Sequence, residues 1–158
     1  SRYSYPAGDE LPARIGTVAR ATGYLTRDQL IQLAGWKSAR PAKKHAQNDE
    51  QTVIEVTRLA FSIQDEHIRL GALTLLHGVR DRTASAILHF CHRDPYPLMD
   101  MRSFAALGVV KAPYDWSSLW LPYTATCREI ASSAGVSMRI LDRALWAWSD
   151  AHGVVAKP

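Results

Sequence analysis

The chain has few cysteines and no long apolar run, and each shortage excludes a class of protein. Its two cysteines, Cys91 and Cys127, form no Cys-x-x-Cys pair, and each lies at an apolar position of a predicted helix. This usage is typical of reduced core thiols in an intracellular protein. No apolar segment approaches the about 18 residues of a membrane span, and the first residues lack the apolar stretch of a signal peptide. We therefore expect a soluble, cytoplasmic protein without a membrane partner.

Patterns for metal ligands and for strands are also missing. The six histidines show no His-x-x-x-His or His-Glu-x-x-His spacing, so no metal site is predicted. His89 and His92 are interpreted as surface or turn residues. No segment alternates apolar and polar residues, and we find no repeat or low-complexity tract. The absence of strand patterns predicts an all-α fold.

Length and charge leave the partner open. A chain of 158 residues with 47% hydrophobic content can bury one core without disulfides or a metal. The formal charge is +4, from 19 basic and 15 acidic residues, with a pI of about 9.3. This excess is compatible with a polyanion partner but too small to prove one.

Start and stop residues predict seven to eight helices. Residues 1–24 are interpreted as an N-terminal arm with one short helix that ends at Gly23, and residues 25–158 as a single domain. Thr26 and Gln29 form a capping box for a helix that Gly35 and Trp36 should end. Six further helices are predicted. The first begins at Asn48 with Gln51, the second runs from Asp65 to Leu76, the third has Asp81 as its N-cap, and the fourth follows Asp100 and ends at Leu107. The fifth spans Pro122 to Gly135, and the sixth begins at Ser137 and has Leu141, Leu145 and Trp148 in the core.

One stretch carries a more specific pattern. Leu76-His77-Gly78-Val79 is followed by three residues, by Thr83-Ala84 and by Ala86-Ile87-Leu88. A glycine turn between two helices permits a close backbone approach, and the free N–H groups of the second helix suit a phosphate. The pattern resembles the helix-hairpin-helix motif of the base-excision DNA glycosylase superfamily, which includes endonuclease III. In that superfamily an aspartate follows the hairpin after one helix and a proline-containing loop, and Asp100 is in register with it.

The resemblance implies a fold, a partner and site residues. It implies a compact glycosylase-like helical domain that binds duplex DNA through Gly78, Val79, Arg80, Arg82 and Thr83. It also implies that Asp100 stabilises an oxocarbenium-like state during cleavage of an N-glycosidic bond. Hairpins of this kind hold a monovalent cation in some cases, and no other cofactor is expected.

The departures from the family pattern limit the expected chemistry. Bifunctional members carry a lysine before the Thr-Ala step, and Arg82 stands at that position. A guanidinium stays protonated and cannot form a Schiff base, so a monofunctional enzyme is predicted. The iron-sulfur cluster of several members needs four cysteines, and this chain has two.

Each candidate residue also has a structural interpretation. Asp100 after a proline-rich segment is typical of an N-cap that accepts from the N–H of Arg102 or Ser103. Trp36 and Trp116 either contact a base or pack against the core. Lys37 either contacts a phosphate or is solvated, and the same two alternatives apply to the basic loop residues Arg40, Lys43 and Lys44.

Three hypotheses follow from these observations. The first is a monofunctional DNA glycosylase that uses Asp100. The second is a non-catalytic DNA-binding module of the same fold, and the third is a helical protein-interaction domain. The identity of the base, the leaving-group acid and the oligomeric state are not determined by the sequence.

Overall fold

A computed structural model describes residues 8–38, 40–111 and 113–156. Within these ranges the chain forms nine α-helices, one 3-10 helix at Trp116–Leu119, and no strand element. The helices are α1 (Glu10–Thr22), α2 (Arg27–Lys37), α3 (Ala42–His45), α4 (Glu50–Ser62), α5 (Glu66–Leu73), α6 (Asp81–Cys91), α7 (Met101–Ala106), α8 (Trp120–Ala134) and α9 (Met138–Ala151). The all-α prediction is confirmed. The predicted number of helices was too low, because the single turn α3 lies in a segment that the sequence marks as a loop.

Local capping signals set several helix ends as predicted. The Thr26 hydroxyl accepts from the Gln29 N–H and the Gln29 side chain accepts from the Thr26 N–H, which completes the capping box of α2. Ser137 caps α9 through the N–H of Ile140. Gly135 ends α8 in the left-handed region at φ 63°, a conformation that costs glycine little. These ends depend on residues at most four apart.

Other helix ends differ from the prediction. Asp49, not Asn48, caps α4, because its carboxylate accepts from the Thr52 N–H. The α5 helix ends at Leu73 rather than Leu76, and Arg80 rather than Asp81 is the N-cap of α6. The α2 helix continues through Gly35 and Trp36 to Lys37. This last extension places the Lys37 side chain on a helix end instead of in a loop.

The α6 helix lies at the centre of the fold. Eight of its eleven residues are buried, and it packs against α1, α2, α5 and the 3-10 helix. The contact with α1 is a close one, because a Cβ added to Gly16 would lie 2.1 Å from the Phe90 carbonyl oxygen. The predicted arm therefore contains a helix that packs on α6 from Glu10 onward, while residues 1–7 of the arm lie outside the described residues.

Side-chain burial corrects three predictions made from helix faces and turns. Trp148 is 47% exposed and stacks on His152 at 4.3 Å, so it does not belong to the core. His92 is buried, and His89 is partly buried with its Nδ1 atom 2.6 Å from the Tyr96 carbonyl oxygen. Cys91 and Cys127 are buried free thiols, as predicted. Among the described helices none combines the length and the apolar character that a membrane crossing requires.

Candidate nucleic-acid interface

The turn between α5 and α6, residues 74–80, brings Gly78 close to a separate part of the chain. Gly78 has a φ of 80°, which L side chains rarely adopt. A Cβ at this position would also lie 2.6 Å from the His45 Cδ2 atom and 2.9 Å from the Lys44 Cβ atom. Backbone conformation and space therefore both require a glycine, and the turn packs directly on α3.

Two buried side chains hold this α5–α6 turn in place. The Asn48 amide donates to the carbonyl oxygens of His45 and His77 at 2.9 and 3.0 Å, and its Oδ1 atom accepts from the His77 N–H at 2.8 Å. The His45 Nε2 atom lies 3.0 Å from the Gly78 carbonyl oxygen, which can only accept, so Nε2 carries the proton. Neither role was predicted from the sequence, because His77 and Gly78 are about 30 residues from Asn48 and His45, and Asn48 resembles a helix cap.

A cleft of about 420 Å³ opens beside the turn. Nine described residues line it; five of them are Lys or Arg and none is Asp or Glu. The five cationic residues, called the basic cleft below, are Lys37, Arg40, Lys44, Arg80 and Arg82. The first three come from the α2–α3 segment and the last two from the turn and the first residues of α6. The fold thus joins two basic groups that are separate in the sequence.

Residues at the start of α6 also lie at this surface. Gly78 and Thr83 line the basic cleft, and the N-cap residue Arg80 makes no side-chain cap hydrogen bond. The first N–H groups of a helix have no acceptor within the helix, and they carry the positive end of its dipole. Helix and side chains therefore contribute positive potential at the same place.

Asp100 lies next to two cations of the basic cleft, Lys37 and Arg82. It is the N-cap of α7, and its Oδ1 atom accepts from the Arg102 N–H at 2.9 Å, which confirms the capping interpretation. Its Oδ2 atom lies 3.5 Å from the Lys37 Nζ atom and 3.6 Å from the Arg82 Nη2 atom. The carboxylate is 16% exposed. Both oxygens are thus engaged, one with the helix end and one with two cations of the basic cleft.

Arg82 connects the cleft to the aromatic residues near the 3-10 helix. Its guanidinium carbon lies 5.1 Å from the centre of the Trp116 ring, and Trp116 stacks on Phe104 at 4.8 Å. The Arg82 side chain stays 45% exposed. Trp116 therefore lies beneath the arginine as a support, in agreement with the packing interpretation, and the exposed part of the guanidinium faces solvent.

Lys37 is much less exposed than Arg82, the other cation of the basic cleft that approaches Asp100. Its side chain is 8% exposed, although it lines the basic cleft. Burial lowers the pKa of the Lys37 ammonium, an effect that the Asp100 and Asp142 carboxylates oppose and the Arg82 charge reinforces. The solvated-loop interpretation of Lys37 is therefore wrong.

The remaining predicted residues take less direct positions. Val79 is 1% exposed, and its N–H donates to the Leu76 carbonyl oxygen, so it presents neither side chain nor amide to the cleft. Trp36 is partly buried and packs edge-on against Phe90 at 5.1 Å. Of the predicted set, Gly78, Arg80, Arg82, Thr83 and Lys37 are brought together around the cleft.

Neither a metal cluster nor a reactive thiol is found in the described part of the chain. No group of three or more His, Cys, Asp or Glu side chains is placed to hold a metal ion there. Burial raises the pKa of the Cys91 and Cys127 thiols to about 12, so neither is a ready thiolate nucleophile.

No family model, no curated protein and no solved structure matches this chain. The glycosylase resemblance therefore stays a prediction that rests on the residues quoted above.

Proposed function

We propose that this protein binds duplex DNA, with the α5–α6 turn acting as a helix-hairpin-helix motif and the basic cleft holding the phosphate backbone. The observation that carries the proposal is the convergence of two basic groups from distant segments on one cleft without acidic lining residues. Asp100 offsets two of the five cations, Lys37 and Arg82, and an anion in the cleft would relieve the repulsion among the rest. A helix start and a glycine at the same place add the close backbone approach that a phosphate needs.

Binding is tested by the salt dependence of affinity for a labelled duplex, measured by fluorescence anisotropy. Each phosphate contact that is lost lowers the slope of log K against log salt by about 1. We therefore expect Arg80→Ala to weaken binding and to lower the slope by that amount. Arg14→Ala is the matched control, because Arg14 is exposed on α1 and does not line the cleft. Equal slopes for the wild type and both variants, or no affinity at low salt, would instead favour the helical protein-interaction domain.

Hydrolysis of an N-glycosidic bond by Asp100 is the second candidate function. It is favoured by the position of the carboxylate, which is anchored on a helix end, partly exposed, and next to two cations of the basic cleft. Two cations at 3.5 and 3.6 Å offset its negative potential, so it can stabilise an oxocarbenium-like state only if at least one of them turns toward a bound phosphate. Hydrolysis by Asp100 therefore requires that the duplex has already bound.

The hydrolysis test compares the wild type with Asp100→Asn on duplexes that carry damaged, mismatched or modified bases. Asparagine can still accept from the Arg102 N–H, so the cap of α7 is retained while the negative charge is lost. Release of free base by the wild type that disappears in the variant, with duplex affinity retained, supports catalysis. Binding without release from any of these duplexes supports the non-catalytic module.

A further inference from the structure

The basic cleft carries more positive charge than its own surroundings offset. Lys37 and Arg82 share the Asp100 carboxylate, at 3.5 and 3.6 Å. Three further cations of the cleft form no ion pair within the described part of the chain; they are Arg40, Lys44 and Arg80. A ligand that matches the charge of this cleft therefore carries more than one negative charge.

The cations of the cleft also differ in depth. Arg40, Lys44 and Arg80 are exposed, whereas the Lys37 side chain is 8% exposed although it lines the same cleft. An ammonium has three N–H donors, and the contact with the Asp100 Oδ2 atom at 3.5 Å engages only one of them. Lys37 thus keeps donors for a ligand, but only a group that enters the cleft can reach them.

The size of the cleft limits which part of a nucleic acid can enter it. Its volume is about 420 Å³, and pockets for small ligands enclose about 300–1,000 Å³. A duplex is too wide for such a space. A phosphodiester within a strand has nucleotides on both sides, so it crosses the mouth of the cleft, whereas a terminal phosphate is held on one side only and can reach the inner wall.

We infer that the basic cleft binds the terminal phosphomonoester of a nucleic-acid strand, with Lys37 contacting the phosphate inside the cleft. The inference rests on the proposed DNA binding, because the rest of the strand lies on the same surface. At neutral pH a phosphomonoester carries about −1.5 to −2 charges and three terminal oxygens, whereas a backbone diester carries a single charge. The monoester therefore offsets more of the unpaired positive charge and accepts hydrogen bonds from several sides.

The Arg82 guanidinium is already oriented for such a ligand. It lies 5.1 Å from the centre of the Trp116 ring and 3.6 Å from Asp100, and its side chain stays 45% exposed. A guanidinium fork binds two phosphate oxygens at once, and a fork that is held in place loses less conformational entropy on binding. Asp100 itself does not line the cleft, so its carboxylate is not among the groups that meet the phosphate there.

The test compares one hairpin duplex that carries different groups at its single free end, by fluorescence anisotropy with the label in the hairpin loop. The ends are hydroxyl, 5′-phosphate, 3′-phosphate, and a methyl-capped form of each phosphate, which is a diester. We expect at least one phosphorylated end to bind about tenfold or more tighter than the hydroxyl end, because hydrogen bonds to a charged group are the strong ones. Its methyl-capped form should bind within about threefold of the hydroxyl end, and the position of the preferred phosphate identifies the strand end.

Two neighbouring lysines of α3 give a matched pair of variants. Both are exposed, and Lys44 lines the cleft whereas Lys43 is not among its lining residues. Lys44→Gln should lower the preference for the phosphorylated end by at least about threefold, and Lys43→Gln should leave it within a factor of about 1.5, because salt screens a charge outside the cleft. Lys37→Gln should bring the phosphorylated and hydroxyl ends within about twofold of each other. The α3 pair does not alter a buried group, so it tests the site even if Lys37→Gln does not fold.

Equal affinity for all ends, or an equal gain from the methyl-capped phosphates, overturns the inference. A preference that survives Lys44→Gln also overturns it. A closed dumbbell duplex without strand ends, and deoxyadenosine 5′-monophosphate, separate this inference from the proposed DNA binding. Dumbbell binding without any end preference overturns the inference alone. Binding of the mononucleotide that Lys44→Gln weakens, with no dumbbell binding at low salt, supports the phosphate site and overturns the proposed duplex binding alone.

Discussion

Asn48 offers the sharpest test of how the α5–α6 turn is held. Its side chain is 3% exposed and makes three hydrogen bonds of 2.8 to 3.0 Å, two to His77 and one to His45. Asn48→Ala removes all three and leaves the His77 N–H and carbonyl without this partner. A hydrogen bond contributes about 1 kcal/mol net, and a buried group left unpaired costs more.

The expected loss in the free energy of unfolding is therefore about 2–4 kcal/mol. For a domain of this size, that corresponds to a fall in Tm of about 5–15 °C. Urea unfolding followed by circular dichroism measures the first quantity and thermal unfolding the second. Gln47→Ala is the control, because Gln47 is the exposed neighbour in the same segment and its truncation should cost no more than about 0.5 kcal/mol.

Asn48→Asp separates the hydrogen bonds from the packing. The carboxylate has the same shape and still accepts from the His77 N–H, but it cannot donate to the two carbonyl oxygens. We expect it to destabilise at neutral pH at least as much as alanine does, and less so at acid pH, where protonation restores one donor. If Asn48→Ala behaves like Gln47→Ala, the argument that this side chain fixes the turn is wrong.

Two further predictions concern packing and pH. Gly16→Ala should lower the free energy of unfolding by about 1–3 kcal/mol in urea titrations, because the added Cβ meets the Phe90 carbonyl and α1 must move from α6. Burial raises the pKa of Asp142 from 3.8 to about 6 and lowers the pKa of His89 from 6.5 to about 4. Between about pH 4 and pH 6 the two groups should therefore contribute opposing slopes to a plot of the free energy of unfolding against pH. His89→Asn should make the overall slope more negative, and Asp142→Asn should make it more positive. Urea unfolding across this pH range measures the slope.

The signs follow from proton binding in each state. In this pH window Asp142 binds more protons in the folded state than in the unfolded state, so its contribution to stability falls as the pH rises. Folded His89 binds fewer, so its contribution rises. The slope is the readout, because Asp142→Asn also removes the ion pair with Arg139 and so changes the absolute stability wherever Asp142 is ionised. Slopes that stay unchanged in both variants would contradict the argument that burial shifts these two pKa values. The control for Gly16→Ala is Gly35→Ala, because a Cβ added at Gly35 meets no atom within 4 Å.

The sequence by itself determined most of the local structure. The capping box of Thr26 and Gln29, the Ser137 cap and the glycine stop at Gly135 were predicted from neighbours within four residues, and the structure confirms them. Such signals are local because a helix end is completed by its own side chains and backbone. The same reasoning failed at Asn48, where a local cap pattern was present but the side chain bonds to a turn 29 residues away.

Only the tertiary structure decided the candidate site. Lys37 and Asp100 are 63 residues apart, and they meet because α2 runs to Lys37 and packs on α6, whose Arg82 faces the cap of α7. Trp148 has the right helical spacing for the core, yet its side chain stays 47% exposed while Leu141 on the same helix is buried. Periodicity shows which residues share a face, but which faces meet depends on how whole helices cross and on the volume of every side chain between them.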